Sequence, residues 1–339
     1  MKKNFAVFGF VVCVGFLLRL FVWPDKSELP STPSTPLRIA IDIWTGSAHA
    51  FLAEKKGLFA KNGVVVQLIA QKGPSENQTA FKNGEVDGVI GGVFSDVILL
   101  HAEGYLAKVV YVTDYSESGD VILGRPGLNS LADLKGHTVS FDTLNSFSHI
   151  FVLKALKSYG LNEASVRFEL VQAPDVLKAL EEGRIDAGHT WQPTTTHALA
   201  KGYKILAKAS DFKGTITDTL YFHPKIIIER PKEVLAMIRS LLEAKQYLTD
   251  HKEESLAIMA KAINMSIDEL SMGLDEIKQA NLSDNLTAFT NINSPYSLYQ
   301  SGNTIIQFLL QRGALQDVPD LTELLDDSFI QSIQKEKHP

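Results

Sequence analysis

A strand–turn–helix unit occurs twice in this chain, and the two copies keep the same internal spacing. In the second copy Gly136 supplies a turn and Thr138 to Phe141 is a short β-rich run. The polar bend Asp142 to Ser148 follows. Ile150, Leu153 and Leu156 then recur at helical spacing while Lys154 and Lys157 point elsewhere. In the first copy residues 37–43 alternate apolar and polar, then come Trp44-Thr45-Gly46-Ser47-Ala48-His49 and a helix-like run to Glu54. Gly84-Glu85-Val86-Asp87-Gly88 parallels Gly183-Arg184-Ile185-Asp186-Ala187, and 37 positions separate Ser47 from Gly84 and Ser146 from Gly183. Two βαβαβ units of matching length imply two similar α/β lobes. Ligands of open α/β sheets sit at the carboxyl ends of strands, so both turn–helix junctions are expected to face one cleft.

Length and charge narrow the classes. With 339 residues, 45% of them hydrophobic, the chain can build two lobes with real cores. A net charge of −6 without a basic cluster argues against a nucleic-acid partner. The single cysteine, Cys13, excludes an intrachain disulfide and a thiolate metal cluster. Lys2 and Lys3 precede an apolar run of 14 residues, Phe5 to Leu18, and Arg19 interrupts it before Leu20 to Trp23. Residues 1–23 therefore read as a signal peptide or an N-terminal membrane anchor: the start is basic, no A-x-A site follows, and 5–23 is about long enough to span a bilayer. Either way the body is exported. Residues 24–36 form a Pro/Ser/Thr linker, stiff and solvated.

The expected organisation is a discontinuous first lobe, 37–115 and 217–335, with a second lobe, 116–216, inserted in it. Crossings are expected at Tyr115–Gly119 and Thr215–Thr219, where hinge closure would occur. Ser75-Glu76-Asn77-Gln78 and Ser266-Ile267-Asp268-Glu269 read as capping boxes. Apolar periodicity predicts helices at Pro231 to Thr249, Glu253 to Ile263, Ser266 to Ala280 and Asn303 to Arg312.

Four stretches carry a resemblance. They are Leu52-Ala53-Glu54-Lys55-Lys56-Gly57-Leu58-Phe59, Asn83 to Gly88, Leu131-Ala132-Asp133-Leu134-Lys135-Gly136 and Gly183 to Ala187. In that order behind an export signal, they resemble the periplasmic solute-binding proteins of nitrate-, sulfonate- and taurine-type ABC importers, which share the NMT1/THI5-like fold. Trp191-Gln192-Pro193 is similar to that group's Trp-Glu-Pro, with Gln in place of Glu. The resemblance implies an α/β, two-lobe periplasmic-binding-protein-like fold (type II), each lobe a mixed sheet flanked by helices. It also implies a hinge-closing protein that captures a small organic or inorganic anion and delivers it to a membrane permease; a monomer is expected. The alternatives are a membrane-anchored ligand sensor, or a binder of a heterocyclic vitamin precursor of the thiamine-pyrimidine or riboflavin type.

Trp44 and Trp191 hold equivalent strand-end positions, where an aromatic can stack on a planar group or shield an apolar tail. Thr45, Gly46 and Ser47 would supply donors from the first lobe, and Asn145, Ser146 and Ser148 from the second; Ser146 or Ser148 can equally cap its own helix. Phe94 and Ser95 stand at a third strand end, and Gln192 follows Trp191. Asp114 and Asp120 can contact a ligand amine, or remain solvated or cap backbone. The loss of a charge at Gln192 points away from a cationic ligand. No chemistry of an enzyme is legible: there is no H-E-x-x-H, the nine histidines are scattered, and Ser95 lacks a G-x-S-x-G elbow. Pyrimidine-synthase members of the fold need a cysteine-rich iron motif that this chain lacks. No cofactor or metal is expected.

Overall fold

The computed structural model describes residues 35–290 and 292–337. The expected leader, 1–23, and nearly all of the linker lie outside the described residues. Among the described residues no helix is long and apolar enough to cross a membrane.

The repeat is visible in the topology. β1 (Leu37–Ile41), β2 (Val66–Ala70) and β3 (Gly88–Val93) are parallel, with β1 between the other two. β4 (Lys108–Ser116) ends this run, and the chain crosses by residues 117–120 into β5 (Val121–Gly124). β6 (Thr138–Phe141), β7 (Arg167–Leu170) and β8 (Ala187–Thr190) repeat the parallel trio, followed by β9 (Lys204–Lys208). After residues 209–216 the chain returns as β10 (Thr217–Phe222) and later adds β11 (Ile277–Gln279). The first sheet has the order β11-β4-β10-β3-β1-β2 and the second β7-β6-β8-β5-β9. Each sheet thus carries one antiparallel strand beside the third member of its trio: β10 against β3, and β5 against β8. Even the registers agree, since Leu37 pairs with Val66 and Thr138 with Arg167, 29 positions on in both cases.

Burial explains why the alternation is lost within strands. β3 and β10 are buried along their whole lengths, as strands covered on both faces must be. One large apolar core lies around the first sheet and its helices; a second joins the second sheet to Trp44 and Val93 from the first.

Several expected elements differ. The run Ser266 to Ala280 is a helix only over Ile267–Asp275, capped by Ser266 as expected. Its last residues leave the helix to pair as β11 on the open edge of β4, Ile277 opposite Ser116. Three residues have no periodicity to read, and the unpaired edge decides their conformation. The helix expected from Asn303 begins at Leu298, because the Ser297 hydroxyl caps it by accepting from the Gln300 amide. Ser75 is not an N-cap. Gly73 holds that position ahead of Pro74, and Ser75 is free to donate to Asp142 Oδ2 at 2.7 Å. The crossings are shorter than expected, since Tyr115 and Thr217 are paired strand residues; beside them the Ser116 amide donates to Ile216 O at 3.3 Å.

Candidate functional site

The carboxyl ends of β1, β3 and β8 converge on one small cavity between the two sheets. Its volume is about 20 Å³, room for a single water. Ligand sites of small molecules run to roughly 300–1,000 Å³, so any solute larger than water must part these walls to enter.

Trp44 and Phe147 line the cavity with Trp191. The indoles of Trp44 and Trp191 meet edge to face, with centroids 6.1 Å apart and planes at 88°, a favourable quadrupole arrangement. Phe147 stands 6.3 Å from Trp191. Each indole is anchored at its polar tip: Trp44 Nε1 donates to Asp114 Oδ1 at 3.0 Å, and Trp191 Nε1 to Ile43 O at 3.3 Å.

The polar wall is acidic. Asp42, directly after β1, faces the cavity with Asp120 and Asp218 from the two crossing regions, and no lysine, arginine or histidine lines it. Asn77 Nδ2 donates to Asp42 Oδ2 at 3.1 Å, while the buried Oδ1 has no hydrogen-bond partner. Burial, with the charges of Asp114, Glu76 and Asp142, pushes the Asp42 carboxyl up to about 7. Asp218 lies opposite Asp114 in the β10–β4 ladder. Burial and the charges of Asp114, Asp120 and Asp42 hold Asp218 well above the carboxylate range. Asp114 is pushed up to about 6 by burial, against the lowering effects of the Trp44 donor and the Lys245 ammonium. Lys245 is itself driven down to about 7 by burial, and its Nζ donates to Thr113 O and to Ala280 O.

Asp120 is held by a relay. With His189 Nε2–H donating to Asp120 Oδ1 (2.8 Å), His189 Nδ1 is left to accept from the Ser148 hydroxyl (2.8 Å), and Ser148 Oγ in turn accepts from the Asp142 amide at 3.0 Å. A Ser–His–Asp set invites a catalytic reading. Here the serine is fully buried, does not line the cavity and has its oxygen occupied twice, so the relay orients Asp120.

Of the residues expected at the site, the structure brings Trp44 and Trp191 onto the cavity. Ser47 is one step back, its unpartnered Oγ against Gly91 of the cavity wall. Thr45 packs on Gly273, and Gly46 lies so close to Asp114 that a β-carbon there would sit 2.1 Å from Oδ2. Phe94 and Ser95 are buried behind β3. Ser146 caps the helix Phe147–Ser158. Asn145 accepts from Arg312 Nε at 3.0 Å. Gln192 faces Glu276, with Nε2 3.4 Å from both carboxylate oxygens, and its Oε1 accepts from the Thr196 hydroxyl at 2.8 Å. Asp42 and Asp218, which sequence reasoning passed over, are ordinary strand-end and strand residues in a linear reading. Their signal was position alone: Asp42 immediately precedes the Trp44 turn.

Further polar contacts tie the sheets together around the cavity. The Phe147 amide donates to Asp96 Oδ1 at 2.9 Å, Lys72 pairs with Asp175 at 2.6 Å and Gln172 donates to Glu76 at 3.0 Å. Arg312 also pairs with Glu163.

The NMT1/THI5-like family model matches residues 44–255. A putative binding protein of Brucella abortus (strain 2308) is 29% identical over 237 residues, 68% of this chain and 72% of that protein. A putative aliphatic sulfonates-binding protein of Escherichia coli is 26% identical over 250 residues, 71% and 76% of the two chains. Among solved structures, the periplasmic aliphatic sulphonate binding protein SsuA of Escherichia coli superposes with a TM-score of 0.70 at 20% identity, covering 86% of this chain and 92% of that one.

Proposed function

From membership of the NMT1/THI5-like family, to which this chain belongs, we propose that it is the extracytoplasmic solute-binding component of an ABC importer. It takes a small solute of the sulfonate, taurine or nitrate type between its two sheets and presents it to a membrane permease. The observation that carries this reading is the meeting of Trp44 and Trp191 across the cavity, one from each repeat. Two equivalent strand ends facing each other give a site completed only when both halves contribute, which is the geometry of capture by closure. The lobes are 37–115 with 217–335, and 116–216; the two crossings lie side by side and act as the hinge. The protein works as an exported monomer, with 1–23 as signal or anchor and 24–36 as tether. Its role in this reading is binding, and the buried Ser148 relay is an internal hydrogen-bond chain that orients Asp120.

The test is a thermal-shift screen of the full chain against taurine, alkanesulfonates and nitrate, with hydroxymethylpyrimidine and riboflavin beside them. A ligand at about 100 times its Kd adds roughly 2.7 kcal/mol, a shift of several degrees at most. Stabilisation by the sulfonate, taurine or nitrate group supports the reading. Stabilisation by the heterocycles alone would replace it with the vitamin-precursor alternative.

A further inference from the structure

The cavity wall combines aromatic faces with carboxyl groups and carries no cationic side chain. Trp44, Trp191 and Phe147 provide the faces; Asp42 and Asp120 provide carboxylates, while Asp218, held well above the carboxylate range by burial and its acidic neighbours, adds a neutral carboxyl. An anion entering here would meet no cationic side chain on the wall and would be repelled by Asp42 wherever that carboxyl is ionised, above about pH 7. An organic ammonium would be attracted by both components, since indole and phenyl faces draw cations through their quadrupoles and desolvation strengthens the effect. A metal cation is the competing occupant. Among the described residues no group of three ligating side chains is arranged to hold one.

The acidic cluster alone would prove little, because two of its members are already engaged. Asp120 accepts from His189, and Asp218 adjoins Asp114 in the strand ladder. Asp42 is different. Its carboxylate is buried, its Oδ1 has no partner, and that oxygen lies beside Gly91 on the cavity wall. A buried carboxylate oxygen without a donor is costly, and a donor brought by the solute removes that cost. Ser47 Oγ, also without a partner, lies one step behind the wall against the same glycine. Gly91 has φ +81, a conformation side chains rarely adopt, and a β-carbon there would sit 2.3 Å from Ser47 Oγ.

Resting on the solute-binding reading above, we propose that the head group received in this cavity is an organic ammonium, held by the unpartnered Asp42 oxygen against the Trp44, Trp191 and Phe147 faces. Within the sulfonate, taurine and nitrate class this selects the amine-bearing members, such as an aminoalkanesulfonate. The missing charge at Gln192 does not alter this, since Gln192 is turned to Glu276 and the acids of the wall come from elsewhere.

Calorimetric titration of the full chain with four probes tests the proposal: taurine, ethanesulfonate, ethanolamine and nitrate, at one ionic strength and pH 7.5. Taurine should bind about 10- to 100-fold more tightly than ethanesulfonate, the worth of one charge-assisted hydrogen bond. Asp42→Asn, nearly isosteric, should lower taurine affinity by a similar factor while ethanesulfonate affinity rises or holds, because the repelling carboxylate is gone; an equal loss for both probes would overturn the ammonium contact. The four-probe comparison on the unaltered chain stands even if that variant does not fold. Ethanesulfonate or nitrate binding as tightly as taurine overturns the ammonium proposal and leaves the importer reading intact. Ethanolamine binding without taurine supports the ammonium and contradicts the sulfonate class. No binding by any of the four overturns both.

Discussion

Replacing Trp44 with Phe separates what its ring contributes from what its N–H contributes. The ring is 7% exposed and meets Trp191; the N–H donates to Asp114 Oδ1 at 3.0 Å. Asp114 lies at about 6, so it is charged at pH 8 and largely neutral at pH 5. A hydrogen bond to a charged acceptor is worth about 1.5–3 kcal/mol, and one to a neutral acceptor about 0.5–1.5 kcal/mol. The smaller ring loses roughly 1 kcal/mol of packing at either pH. Trp44→Phe should therefore destabilise by about 2.5–4 kcal/mol at pH 8 and by about 1.5–2.5 kcal/mol at pH 5. The sign follows from Asp114: the lost donor favoured its ionised form, so the loss is greatest where that form dominates. Urea unfolding followed by far-UV circular dichroism at both pH values, with constant m, measures the difference. Equal losses at pH 5 and pH 8 would refute the assignment of Trp44 as the donor that tunes Asp114.

Other substitutions probe the rest of the wall. Gly46→Ala places a β-carbon 2.1 Å from Asp114 Oδ2, so the carboxylate must shift off Trp44; a loss of about 1–3 kcal/mol in chemical denaturation is expected, and a neutral result would contradict the packing. Asp42, raised by burial to about 7, binds a proton in the folded state that the unfolded chain releases near its ordinary 3.8, so its contribution to stability falls as pH rises between those values. Asp42→Asn should gain on the unaltered protein by about 2–3 kcal/mol between pH 5 and pH 8, at 1.36 kcal/mol per unit; a pH-independent difference would sink this account. Removing the exposed Lys72–Asp175 pair should cost no more than about 0.5 kcal/mol, whereas Ser75→Ala strips the donor from the buried Asp142 and should cost about 1–2 kcal/mol. The reverse order in thermal melts would show that exposure does not govern these contacts.

The two α/β units were legible in the chain because a duplicated spacing survives where individual residues do not: Gly84 and Gly183 recur at matching places, and the β1–β2 and β6–β7 registers then agree. Trp44 and Trp191 could be found for the same reason, each closing the same turn of its unit. Side chains that reach across the structure were not legible. Ser75 obeyed a local capping rule on paper, but Pro74 starts that helix earlier, and a carboxylate 67 positions away claims the hydroxyl. Asn145 and Ser148 looked like ligand donors because their turn is polar; Arg312 and His189, from distant elements, use them internally. β11 was read as helix because three residues cannot display a period and the open edge of β4 has no sequence signature near them. The acidic character of the cavity was hidden for a related reason, since Asp42, Asp120 and Asp218 lie far apart in the chain and meet only where the crossings adjoin the strand ends.

The central claim is capture between the two sheets, and hydrogen exchange on the full chain tests it most directly. The Phe147 amide is bonded to Asp96 across the sheets, and Trp44 and Trp191, one from each repeat, are buried against each other. A cavity of about 20 Å³ admits no organic solute without opening, so the free protein must open and reclose, exposing these amides. With saturating taurine, peptides spanning 42–47, 143–149 and 190–196 should exchange at least several-fold more slowly, while the helix Pro231–Asp250 changes little. Binding that leaves those three peptides unchanged, or protects only some other surface, would contradict a site between the sheets.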